Sequence, residues 1–135
     1  MADGVHVAVV GSAADRPTTD GVVRMAAANA ATPSAMHDLV GRTDLPTLAG
    51  VLAAARALVA NDAGARHLAA AVGTAVTAVF GPTNEWATRP VGEAHRVIAA
   101  PVWCRPCMLR ECPLTHGCMR GITVEAVHEA TQGLL

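Results

Sequence analysis

The chain has 135 residues, enough for one domain of ordinary size with a buried core. Its ten basic residues, all arginine, nearly balance eleven acidic ones and no stretch gathers one sign, which argues against a nucleic-acid footprint or a membrane-surface patch and leaves a small anionic ligand open. Hydrophobic residues make up 52% but aromatics only 2%, so Ala, Val and Leu must fill the interior between closely packed helices and strands.

Met1-Ala2-Asp3-Gly4 does not open a basic leader, and no apolar run approaches the roughly 18 residues of a membrane span, so a soluble, cytoplasmic protein is expected. Residues 5–10 are a nearly continuous apolar run ending in Gly11-Ser12, the pattern of a strand buried on both faces of a parallel sheet. A helix is predicted over 20–31, a short strand at Leu39-Val40 before Gly41, and a second helix over 45–56 with Pro46 in its first turn. A strand over 57–60, a helix over 64–72 closed by Gly73, and a strand over 75–80 closed by Gly81-Pro82 follow. Residues 83–90 read as a loop, 95–99 as a last strand, 101–120 as an irregular Cys-rich segment, and 123–132 as a helix capped by Thr123. This alternation predicts an α/β, Rossmann-like, doubly wound parallel sheet spanning 1–135, which binds ligands outside the carboxyl ends of its strands, in the loops after Val10, Val40, Ala60 and Phe80.

The most informative stretch is Asn61-Asp62-Ala63-Gly64-Ala65-Arg66-His67, where a strand turns straight into a helix. Free amides at that helix start attract an anion such as a pyrophosphate, and Gly64 permits close approach of the ligand to the backbone. Arg66 and His67 fall in the first helical turn, where a side chain adds a further donor. Asp62 is read either as a helix cap or as a partner for a sugar hydroxyl, and His67 either as a ligand contact or as an ordinary histidine.

Four blocks in order, Gly11-Ser12-Ala13-Ala14-Asp15, Gly41-Arg42-Thr43-Asp44-Leu45, Asn61 to His67, and Gly81-Pro82-Thr83, resemble the family 9 glycosyltransferases, which include the ADP-heptose:lipopolysaccharide heptosyltransferases. The cluster Cys104-Arg105-Pro106-Cys107, Cys112-Pro113, His116, Cys118-Met119 and Ile122-Thr123 resembles many members as well. The resemblance implies the C-terminal, donor-binding domain of a two-domain GT-B enzyme, without its N-terminal acceptor domain, on which the catalytic base is expected. It implies that the chain binds ADP-heptose for transfer to the lipopolysaccharide inner core, in the cytoplasm at the inner face of the membrane. Ser12 would then belong to the donor site, with Asp15 facing the ribose, Thr43 the adenine, and Asp62, Ala63, Gly64 and His67 the diphosphate and sugar, and with Thr83 bordering the sugar pocket. Position 63 is Ala where the family usually has Ser or Thr, so one hydroxyl donor is missing.

No cofactor is required on this reading. Cys104, Cys107, Cys112 and Cys118 are candidates for a structural zinc site, with His116 able to replace one thiolate, or else small apolar side chains or an oxidisable thiol pair. The competing functional class is a catalytically inactive nucleotide- or metal-binding module from a truncated gene, and a third is a Cys-rich interaction module.

Overall fold

A computed structural model of the chain describes residues 5–28 and 35–135. They divide into two compact units, Met1–Leu48 and Ala49–Leu135.

In the first unit, β1 (Val7–Val9) runs parallel to β2 (Met36–Asp38), with Val7 opposite Met36 and Val9 opposite Asp38. Between them lie a 3-10 turn, Ala13–Asp15, and α1 (Arg16–Ala28). The helix starts four residues before the predicted Asp20, because Ser12 is extended, Asp15 closes the turn onto it, and Pro17 suits a first turn. The predicted stretch 29–31 lies outside the described residues. Val40 was expected in a strand, but its N–H is taken by the Asp38 carboxylate at 3.1 Å, so β2 ends before it. The expectation that 5–10 is buried on both faces is corrected: the strand has three residues, and Val7 is 37% exposed. Among the described residues its sheet has two strands, and α1 buries none of its residues.

The division between the units falls within α2 (Leu45–Ala54). The Asp44 carboxylate accepts from Thr47 N–H at 2.9 Å and Pro46 occupies the first turn, so this helix begins where the sequence places it. It ends two residues early, where Ala55 N–H turns back to Leu52 C=O, which also accepts from the buried Thr74 hydroxyl at 2.6 Å.

The second unit is built on β3 (Ala57–Asn61), β4 (Ala75–Phe80) and β5 (His95–Ala99), all parallel, in the order β3-β4-β5. β4 is central and five of its six residues are buried, as an apolar run flanked on both edges must be. α3 (Gly64–Ala71) joins β3 to β4 and packs on both. It closes at Gly73, whose φ of +86° only glycine adopts without strain. α6 (Val124–Gln132) packs on β4 and β5, and the Thr123 hydroxyl accepts from Ala126 N–H at its start.

Side chains alternate along β4, so the two helices can be assigned to faces. Arg66 of α3 lies over the Phe80 ring at 5.3 Å, and Thr131 of α6 bonds the Thr77 hydroxyl at 2.9 Å. Phe80 and Thr77 differ by an odd number, so α3 and α6 cover opposite faces, as in a doubly wound sheet. The predicted loop 83–90 contains one helical turn, α4 (Glu85–Thr88), with the Asn84 side chain accepting from Trp86 N–H at 3.0 Å. The Cys-rich segment is irregular apart from α5 (Gly117–Arg120). Among the described residues, no helix is long and apolar enough to cross a membrane.

Candidate functional site

In the second unit the register pairs Asn61 with Val79, so β3 and β4 end within one residue of each other and their following turns open on the same edge. Asp62, Ala63, Gly64, His67 and Thr83 all belong to these two turns or to the helix start. Ala63 is the residue that caps α3, and it is extended, at φ −137° and ψ 160°. Its methyl group cannot accept a hydrogen bond, so the first amides of α3 keep the unpaired, partly positive character of a helix start. Ala63, Gly64 and His67 are exposed and Asp62 is half-buried, which leaves this helix end accessible to an anion.

Arg66 does not face that opening. Its side chain is 2% exposed, and it donates to Ala63 C=O at 2.9 Å and Thr88 C=O at 2.5 Å and pairs with the Asp62 carboxylate. The expectation that Arg66 adds a donor for the ligand, and that Asp62 caps the helix, is therefore corrected: a flat ring below and three acceptors around it draw the guanidinium inward. Asp62, with a side chain 20% exposed, is held by that ion pair. The Nε of Arg66 and the hydroxyl of Thr83 are buried without a hydrogen-bond partner.

A second buried guanidinium holds the turn after β4. Arg105 donates through Nε to Gly81 C=O at 2.5 Å and through its terminal nitrogens to Thr83 C=O at 3.3 Å and the Glu85 carboxylate at 2.8 Å. The single turn α4 is thus fastened at both ends, Glu85 by Arg105 and Thr88 by Arg66. Glu85 titrates below its ordinary value because its own amide donates to it, joined by Arg105, against the opposing effect of burial.

In the first unit, Ser12 and Asp15 are exposed at the end of β1. The Asp15 carboxylate accepts from the Ser12 amide at 2.8 Å and from its hydroxyl at 2.7 Å, which holds its pKa below 3.8, the hydroxyl contributing most. Gly41, at φ +70°, sits against Ala13, where a Cβ would meet the Ala13 Cα at 3.2 Å. Thr43 is half-buried in the turn that leads into α2. Arg16 pairs with Asp38 at 2.6 Å and also donates to Val40 C=O, lowering the Asp38 pKa and raising its own.

Sequence reasoning missed Arg105, Arg16 and the inward role of Arg66. For Arg66 a signal existed, since Asp62 precedes it by four residues, the spacing of a helical ion pair. None marked Arg105.

The four cysteines are free thiols on the wall of one cleft of about 580 Å³, which also includes Pro82, Trp103 and His116. The Cys112 sulfur accepts from the amides of Leu114 and His116, both at 3.4 Å. Among the described residues, no group of three or more His, Cys, Asp or Glu side chains converges as a metal site, so Cys104, Cys107, Cys112 and Cys118 are not gathered into the zinc arrangement their spacing raised. A second groove, of about 420 Å³, lies between Val59, Val79 and α6 and is almost wholly apolar.

A family profile described as glycosyltransferase family 9 (heptosyltransferase) matches residues 1–117. The chain is 34% identical over 102 residues to lipooligosaccharide heptosyltransferase 2 of Campylobacter jejuni, covering 74% of this chain and 32% of that protein. It is 41% identical over 71 residues to lipopolysaccharide heptosyltransferase 1 of Pseudomonas aeruginosa, covering 53% and 20%. The solved structure of the Escherichia coli ADP-heptose LPS heptosyltransferase II superposes with a TM-score of 0.81 at 28% identity, over 98% of this chain and 37% of that one. The chain therefore spans about a third of the length of the relatives it matches.

Proposed function

The chain belongs to glycosyltransferase family 9, and from that premise we propose that it binds the ADP-linked heptose donor of a lipopolysaccharide heptosyltransferase. The observation that carries this reading is the start of α3: an accessible helix end whose capping residue has no side-chain acceptor, with Asp62, Gly64 and His67 around it and Thr83 on the adjoining turn.

The proposed chemistry is displacement at the anomeric carbon of the sugar. The α3 amides and His67 stabilise the negative charge that grows on the departing diphosphate. Asp62, oriented by Arg66, accepts from a sugar hydroxyl. On the family pattern, Asp15 serves the ribose and Thr43 the adenine, with Ser12 a further donor-binding residue. A base outside these residues deprotonates the acceptor hydroxyl of the lipopolysaccharide inner core, on an acceptor-binding part of the family's N-terminal type. Such a donor and acceptor meet in the cytoplasm, at the inner face of the membrane.

Calorimetric titration with ADP, with GDP and UDP as controls, tests the reading. ADP should bind selectively with Kd between about a micromolar and a millimolar, or roughly 4–8 kcal/mol. Asp62→Ala and His67→Ala should each weaken it. Affinity unchanged from the unaltered chain in both variants would overturn the site, and binding of no nucleotide by the unaltered chain would overturn the function.

A further inference from the structure

The Cys-rich segment has no task in the reading above, yet it makes an unusual set of contacts with the turn that carries Thr83. Three consecutive carbonyls of that turn accept from it: Gly81 from Arg105 Nε at 2.5 Å, Pro82 from the Met108 amide at 3.0 Å, and Thr83 from the Arg105 guanidinium at 3.3 Å. Arg105 has a side chain only 9% exposed and is anchored in turn by Glu85 at 2.8 Å. Met119 of α5 also closes on Gly81, so tightly that a Cβ there would meet its sulfur at 2.5 Å. A turn of this kind, left alone, would have all three carbonyls turned to water and many conformers open to it.

We propose that Arg105 is a positioning residue, through which the Cys-rich segment sets the conformation of Gly81-Pro82-Thr83 and so the shape of the donor pocket. The proposal rests on the donor-binding reading. Arg105 touches no ligand in it; its guanidinium holds the Gly81 and Thr83 carbonyls, which fixes where the Thr83 side chain stands. An error of an ångström in such a group costs binding far more than its distance from the ligand suggests.

The test compares ADP-heptose affinity in the unaltered chain, Arg105→Met, Arg105→Lys, Thr83→Val and the double variant Arg105→Met/Thr83→Val, each checked for a cooperative thermal transition. Arg105→Met should weaken ADP-heptose on the order of ten-fold, Arg105→Lys less, and the double variant no more than the worse single one, because both changes act at one group. Losses that multiply, or an Arg105→Met chain that binds like the unaltered one, would overturn the proposal. Should Arg105→Met fail to fold, Glu85→Gln, which removes only the anchor, is measured in its place with the same expectations. Hydrogen exchange at the Met108 amide, followed without nucleotide, separates this proposal from the functional reading. Faster exchange in Arg105→Lys or Glu85→Gln supports the brace even if no nucleotide binds, whereas unchanged exchange in both refutes it.

Discussion

Arg66→Met removes a charge that the fold has enclosed. The substitution deletes the ion pair to Asp62, the hydrogen bonds to Ala63 C=O at 2.9 Å and Thr88 C=O at 2.5 Å, and the contact over the Phe80 ring. Breaking a buried ion pair from one side costs about 3–5 kcal/mol, because the remaining charge is stranded. Two features reduce this. Asp62 is 20% exposed, so water reaches the freed carboxylate, and the methionine side chain refills part of the volume above Phe80. Against them stand two carbonyls left without their charged donor, at roughly 1 kcal/mol or more each. The net loss should be about 2–4 kcal/mol, a sizeable share of the roughly 5–15 kcal/mol that holds an ordinary domain together. In urea, followed by far-ultraviolet circular dichroism, the midpoint should fall by about 1–2 M at an ordinary slope of about 2 kcal/mol per molar. Arg66→Lys should fall roughly halfway, since one ammonium reaches Asp62 but not both carbonyls. A midpoint shift below about 0.3 M in Arg66→Met would show that the guanidinium is replaceable and that the clamp joining the two turns is no source of stability.

Three other outcomes follow from the same contacts. Asp15, Asp38 and Asp44 are held below 3.8 and Glu85 below 4.5, so the folded state binds protons less readily than the unfolded chain. Their contribution to stability is therefore complete above those ordinary values and declines as pH falls through the depressed ones; melting temperatures that stay flat from pH 5 down to pH 2 would contradict it. Gly81→Ala places a methyl group against the Met119 sulfur, and should destabilise by about 1–3 kcal/mol in thermal unfolding, an effect that Met119→Ala in the same chain reduces. Thr131→Val strips the fully buried Thr77 hydroxyl of its partner at 2.9 Å and should cost about 1–3 kcal/mol in urea unfolding, while Thr77→Val/Thr131→Val, with neither hydroxyl present, should recover part of that loss.

Periodicity made the second unit legible. The strand at Ala75–Phe80, the helix from Gly64 and the cap at Thr123 stand where propensity and turn chemistry place them, because each is decided by its own residues. The first unit was less so: β1 and β2 are three residues each, and their ends are set by the Asp38 and Asp15 carboxylates, which bind backbone amides over short distances that no hydrophobic pattern records. The same limit applies to the candidate site. Gly64, His67 and Thr83 stand at strand ends, as an α/β sheet requires. The inward turn of Arg66 depends on Thr88, 22 residues away, and the role of Arg105 on Gly81, 24 residues away. Long-range hydrogen bonds to carbonyls carry no sequence signature, since every residue has a carbonyl.

In the three-stranded sheet each strand lies beside the next one in the chain, β3 against β4 and β4 against β5. Such a sheet can be assembled in the order of synthesis, with only α3 intervening between the first two strands and no strand waiting for a distant mate. Folding of this unit should then hinge on β4, the strand both neighbours need. Substitutions of Val76 or Ala78 should slow refolding, whereas those on α6, which settles onto a completed sheet, should act by hastening unfolding.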